Sequence, residues 1–134
     1  MGANAQASRL RRRMGEDLQV LARLAQAAQE RSAMLAGSCY ERRRRCGKRG
    51  CRCAQGRLHR GMALAVKSDG RRRLLSLGAV EMDKIVPLTG SYRRMRQARA
   101  EMVRVFGELL NAFDALGRLR QIGIGPLRQI LPGA

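Results

Sequence analysis

The stretch Cys46-Gly47-Lys48-Arg49-Gly50-Cys51-Arg52-Cys53-Ala54-Gln55-Gly56-Arg57-Leu58-His59 holds three of the four cysteines and the only histidine of a 134-residue chain. Thiolates and imidazole are the ligands that zinc takes in a tetrahedron, and short spacers let one tight loop deliver several of them. The pattern C-x4-C-x-C-x5-H therefore predicts a single structural Zn2+ held by Cys46, Cys51, Cys53 and His59. Gly47, Gly50 and Gly56 supply the unusual backbone angles that such a loop needs. The surrounding arginines and Lys48 favour the thiolate form. Cys51 and Cys53 stand too close in sequence for an easy mutual disulfide. Cys39 is the alternative fourth ligand, leaving His59 free, and an iron–sulfur cluster or plain reduced thiols are the alternatives to zinc.

Outward from this loop the chain reads as helix, knuckle, hairpin, helix. Met14, Leu18, Leu21, Ala25, Ala28 and Leu35 recur in steps of three and four, which predicts helix one over 9–37 with Gly37 as its C-terminal cap. Residues 1–8 are small and polar and read as a flexible N-terminus. Residues 39–60 show no period. Met62 to Lys67 and Arg71 to Leu77 are short runs separated by Ser68-Asp69-Gly70, a hairpin signal. The knuckle and hairpin together occupy 38–80. Gly78 to Gly90 reads as a connector, with a short helical turn expected over Glu81 to Val86 before Pro87, and Ser91 is placed to cap a second long helix over about 92–121, within a segment 81–122. The seam of that helix is Met95, Ala98, Met102, Val105, Leu109, Ala112, Leu116 and Leu119, with Phe106, Leu110 and Phe113 widening it toward a core face. Residues 123–134 form a tail. The expected fold class is α+β, mostly α: two long antiparallel helices flanking a zinc knuckle and a short β-hairpin.

The formal net charge is +18, and 25 of the 28 basic residues are arginine. Residues 38–73 hold thirteen basic and two acidic side chains, a balance of +11 centred on the cysteines. Arg42, Arg43, Arg44 and Arg45 run into the knuckle; Lys48, Arg49, Arg52, Arg57 and Arg60 decorate it. Arg71, Arg72 and Arg73 follow on the hairpin, and Arg93 and Arg94 open helix two. One such run is ordinarily a solvated face. Several runs in a chain with ten acids predict a nucleic-acid surface built from these residues. Arginine favours bidentate phosphate contacts. With two Tyr, two Phe and no Trp there is little for unpaired bases to stack on, so backbone contacts to a duplex are favoured over single-strand stacking. DNA is the favoured ligand, and an RNA-binding protein is an alternative that the residues leave open.

The run Arg45-Cys46-Gly47-Lys48-Arg49-Gly50-Cys51-Arg52-Cys53-Ala54-Gln55-Gly56, with His59-Arg60-Gly61 after it, resembles a family of small basic bacterial proteins of unknown function. In that family a CGKxxCxCxxGxxH motif precedes a β-hairpin and a charged helix, and its members are often encoded near transposases. This chain has Met62-Ala63-Leu64 where the family usually carries aromatic residues. The resemblance implies an accessory role for a transposase or recombinase.

The residues argue against an enzyme. There is no second histidine, no carboxylate pair beside the cysteines and no phosphate-binding glycine loop followed by Lys-Ser/Thr. A filled four-ligand site also has no open position for an activated water. A redox role for Cys51-x-Cys53 is the remaining chemical alternative. The competing reading is an assembly subunit that binds a protein partner, or a second copy, through its helix seams. Neither a signal-type apolar run nor a membrane-length span is present in the sequence, so the expected place is the cytoplasm, on the nucleoid if DNA is the ligand.

Overall fold

The computed structural model describes residues 2–131 and Gly133. The parts of the expected flexible start and tail that fall on Met1, Pro132 and Ala134 lie outside the described residues. The chain is α+β and divides into two compact units, Met1–Gln29 with Ala98–Ala134, and Glu30–Gln97. Among the described residues the longer elements are α1 (Ala3–Ala25), β1 (Gly37–Arg44), β2 (His59–Ser68), β3 (Arg71–Leu77), α2 (Ala79–Arg120) and a short α3 (Ile124–Ile130).

In the first unit, α1 starts earlier than its seam suggested, because Ala3, Ala5, Gln6 and Ala7 are strong helix formers. It stops at Ala25 and passes through a 3-10 turn at Gln26–Gln29, well short of residue 37. Its inward face is Ala7, Leu10, Met14, Asp17, Leu21 and Leu24, while Leu18 is 55% exposed. Two stripes one residue apart share Met14 and Leu21, so periodicity by itself did not separate them. Asp17 is buried, 3.7 Å from Arg13 Nε, and its Oδ2 has no partner among the described residues. Arg13 also reaches Glu108 Oε2 at 2.7 Å. Leu21 and Ala25, further along α1, share a depression with Met102 and Phe106, which precede Glu108, so the two segments run antiparallel. Val105 and Ala112 are buried on the predicted seam, with Met102, Leu109, Leu116 and Leu119 half-buried beside them. Phe106, Leu110 and Phe113 do not widen this core face; they are 52%, 47% and 62% exposed.

In the second unit the hairpin is the larger part of a three-stranded antiparallel sheet in the order β1-β2-β3. Asp69 and Gly70 make the predicted turn, both at positive φ (52° and 74°). The additional strand, β1, comes from the segment read as aperiodic, and it pairs with β2 from Gly37↔Val66 to Arg44↔His59. Gly37 is therefore not a helix cap. A Cβ there would lie 2.8 Å from the Ala65 carbonyl oxygen and 2.9 Å from Val66 Cγ1, so the strand crossing itself demands glycine.

The connector expected before Pro87 is helical, and α2 runs without interruption from Ala79, ahead of the Ser91 start. Met82 N–H bonds the Gly78 carbonyl at 3.0 Å, and Glu81 suits the positive end of the helix dipole. Pro87 removes one donor from the helix. Two residues on, the Thr89 hydroxyl donates to the carbonyls of Val86 and Ile85 at 3.2 and 3.4 Å. Ser91 is buried inside the helix, where its Oγ lies 3.2 Å from Ser32 Oγ. The strap 30–36 is fixed to this stretch by three contacts: that one, Arg94 to Glu30 Oε1 at 2.8 Å, and Leu35 N–H to the Leu88 carbonyl at 3.1 Å.

Candidate metal centre and basic surface

Side chains alternate across a strand, and residues opposed in an antiparallel pair share a face. The register therefore sorts the sheet. Cys39, Met62 and Leu64 lie on the face that meets α2, where Cys39 Sγ is 3.8 Å from Thr89 Oγ1. Tyr40, Arg42 and Arg44 on β1 share the opposite face with Ala63, Gly61 and His59 on β2. Ala63 is nearly inaccessible there, flanked by Tyr40 on one side and Ser76 on the other.

The cluster forms where the chain leaves β1 and before it enters β2. Gly47 and Gly50 adopt positive φ of 76° and 77° and fold the loop tightly between Cys46 and Cys51. Cys53 rides on a 3-10 turn, Arg52–Gln55, that Gly56 ends at φ 97°. His59 opens β2, so the sheet register presents its ring to the loop. The ligand atoms of Cys46, Cys51, Cys53 and His59 all lie within 4.8 Å of one another. Cys46 Sγ and Cys53 Sγ are 3.5 Å apart, and Cys51 Sγ is 3.2 Å from His59 Nε2. Those separations are far beyond a disulfide of about 2.05 Å. They approach the edge of a tetrahedron with metal–sulfur bonds of about 2.3 Å, roughly 3.8 Å.

Burial, and the protonation of Cys53 though not of Cys51, favour the same conclusion. Cys53 is 1% exposed and is the largest fully buried side chain among the described residues. The Cys46 N–H bonds its sulfur at 3.4 Å and holds the Cys53 thiol down to about 7, against the opposing effect of burial. A backbone hydrogen bond at Cys53 lowers Cys51, but the thiols of Cys53 and Cys46 together with burial leave it raised. Three sulfurs and an imidazole nitrogen converging on one point fit a single metal ion. Cys39 is outside the cluster, packed on α2, so the alternative set with Cys39 in place of His59 is not the one assembled.

All fourteen basic residues singled out by sequence lie in the Glu30–Gln97 unit, but not in one role. Arg43 and Arg60 lean on Glu41, at 3.2 and 3.6 Å. Arg94 is engaged by Glu30 and by Ser91 Oγ at 3.0 Å. Arg42 and Arg44 project from the other face and border a cavity of about 380 Å3, lined also by Cys46, His59, Arg60, Gly61, Met62, Ser76 and Leu77. Arg45, Lys48 and Arg49 lie on the loop between β1 and the 3-10 turn, with Arg52 in that turn and Arg57 just beyond it. Arg71, Arg72 and Arg73 open β3, and Arg93 is on α2. The loop and strand members are exposed. Sequence reasoning missed Gly61, which lines the cavity and has open space where a Cβ would stand.

Fold and site define a small α+β protein built around a Cys3His cluster at the end of a three-stranded antiparallel sheet. The chain belongs to the family described as Domain of unknown function (DUF6788), whose model matches residues 6–86. That span runs from α1 through the sheet and the cluster into the first turns of α2. No curated protein and no solved structure matches the chain. Among the described residues no helix is long and apolar enough to cross a membrane.

Proposed function

We propose that this is a nucleic-acid-binding protein, with duplex DNA as ligand, whose basic surface is shaped by one structural zinc ion. The observation that carries this reading is the placement of charge. The Glu30–Gln97 unit holds eighteen basic and five acidic residues, a balance of +13 out of +18, and the Cys3His cluster lies within it. The ligands alternate with arginines in sequence, so closing the loop on a metal fixes where those guanidiniums stand. Zinc suits three thiolates and one imidazole, and a complete protein ligand set makes the ion a structural one. An accessory role beside a transposase or recombinase follows from the family resemblance.

The test is the affinity of the zinc-loaded chain for duplex DNA as a function of salt. About six phosphate contacts give a log–log slope near −5; a slope near zero overturns the proposal.

A second reading has its own support. Val103, Phe106, Leu110 and Phe113 form a stripe on α2 with exposures of 60%, 52%, 47% and 62%. A stripe of this kind suits an assembly contact with another protein or a second copy. Sedimentation of the isolated chain across concentrations tests the second-copy form, and a monomer throughout removes it.

A further inference from the structure

The run Arg42–Arg45 reads in sequence as one block of charge, but the strand divides it. Arg43 falls on the side of Glu41, which it shares with Arg60. Arg42 and Arg44 fall on the other side, have no ion pair among the described residues, and flank the 380 Å3 cavity beside His59. Arg42 is opposed across the register by Gly61 and Arg44 by His59. Gly61 has an ordinary backbone conformation, so nothing in the chain path demands glycine there. Its missing side chain instead keeps the cavity floor open between the two arginines.

We propose that this cavity seats one backbone nucleotide of the bound nucleic acid, its phosphate held between Arg42 and Arg44 over Gly61. The inference rests on the nucleic-acid reading above and gives it a fixed point. The volume lies within the roughly 300–1,000 Å3 of small-ligand sites and exceeds what a bare phosphate fills, leaving room for the attached sugar. Planar guanidiniums match phosphate oxygens bidentately. Three thiolates around a divalent ion carry a net charge of −1, and two unpaired arginines outweigh it, so the rim stays positive. Ser76 adds a hydroxyl at the same wall.

The experiment is a titration of the zinc-loaded full chain against a labelled DNA duplex at several salt concentrations. Zinc content and melting temperature are recorded for each variant. Gly61→Val leaves the net charge untouched and fills the floor; binding is expected to weaken at least tenfold. Gly61→Ala is expected to give a smaller loss, and it serves as the readout if the valine variant loses its zinc. The double variant Arg42→Gln with Arg44→Gln is expected to flatten the log–log slope by about 0.9, the share of the one phosphate seated between them. Arg43→Gln, on the other face, is expected to change the slope by less than half as much. Wild-type binding with unchanged affinity in folded Gly61 variants, or a double variant no flatter than Arg43→Gln, overturns the cavity and leaves the general reading standing. Absence of salt-dependent binding by the wild type overturns both.

Discussion

The backbone amide of Cys46 donates to Cys53 Sγ at 3.4 Å while the two sulfurs stand 3.5 Å apart. The exposed residue that opens the knuckle thus contributes both a ligand atom and the hydrogen bond that favours thiolate at its buried neighbour. In a loop of glycines and arginines with few apolar side chains, this sulfur-centred packing takes the place of a core. Structural zinc in small modules contributes roughly 10–16 kcal/mol of apparent binding free energy, enough to order such a loop.

Cys53→Ser is therefore expected to abolish metal binding, whereas Cys39→Ser keeps one zinc per chain. Elemental analysis of the purified variants reads this directly. Chelation of the native protein should speed hydrogen exchange over 45–61 while leaving α1 protected. Zinc retained by Cys53→Ser would contradict the ligand assignment.

The strap 30–36 is pH-sensitive in a defined direction. The Ser32 hydroxyl, then Arg94, hold the Glu30 carboxyl below its ordinary value of 4.5. A depressed carboxylate adds stability above its unfolded value and loses that contribution as pH falls through the lower folded value. The strap contacts should then survive at pH 5 and weaken only below 4.5. A carbon-detected NMR titration of Glu30 is expected to show a midpoint under 4.5, and Ser32→Ala should move it upward.

Gly37→Ala is expected to destabilise the sheet by about 1–3 kcal/mol, the usual range for forced overpacking. The added methyl meets the Ala65 carbonyl, a backbone atom that cannot swing aside. Thermal unfolding measures the loss. Gly61→Ala, with open space at its Cβ, is the control and should melt with the native protein.

Asp17 presents the opposite case. Its buried Oδ2 has no partner among the described residues, and Arg13 retains Glu108 without it. Asp17→Ala removes an unsatisfied acceptor and improves helix propensity, so a gain of about 1 kcal/mol is expected in a denaturant titration. A loss of that size would show that the carboxylate has a partner in solution.

The ligand set, the Asp-Gly turn and the seam of α2 were legible in the sequence because each depends on local spacing. Cysteine intervals measure loop reach, Asp69-Gly70 sets two backbone angles, and steps of three and four mark one helix face. β1 was not legible. Its Tyr-Glu-Arg-Arg-Arg run lacks alternating apolar residues, since an edge strand gains its hydrogen bonds from β2 and its charge balance from Glu41.

What the sequence by itself determined, then, is the inventory: a Cys3His ligand set, a hairpin, a long amphipathic helix and an excess of arginine. Tertiary structure decided allocation. It moved Gly37 from helix cap to strand crossing, set Cys39 against Thr89 outside the cluster, engaged Arg94 with the strap, and left Phe106, Leu110 and Phe113 in solvent. Those outcomes depend on which strand lies opposite which, and strand register places residues far apart in sequence side by side with a period of two that the arginine run does not display.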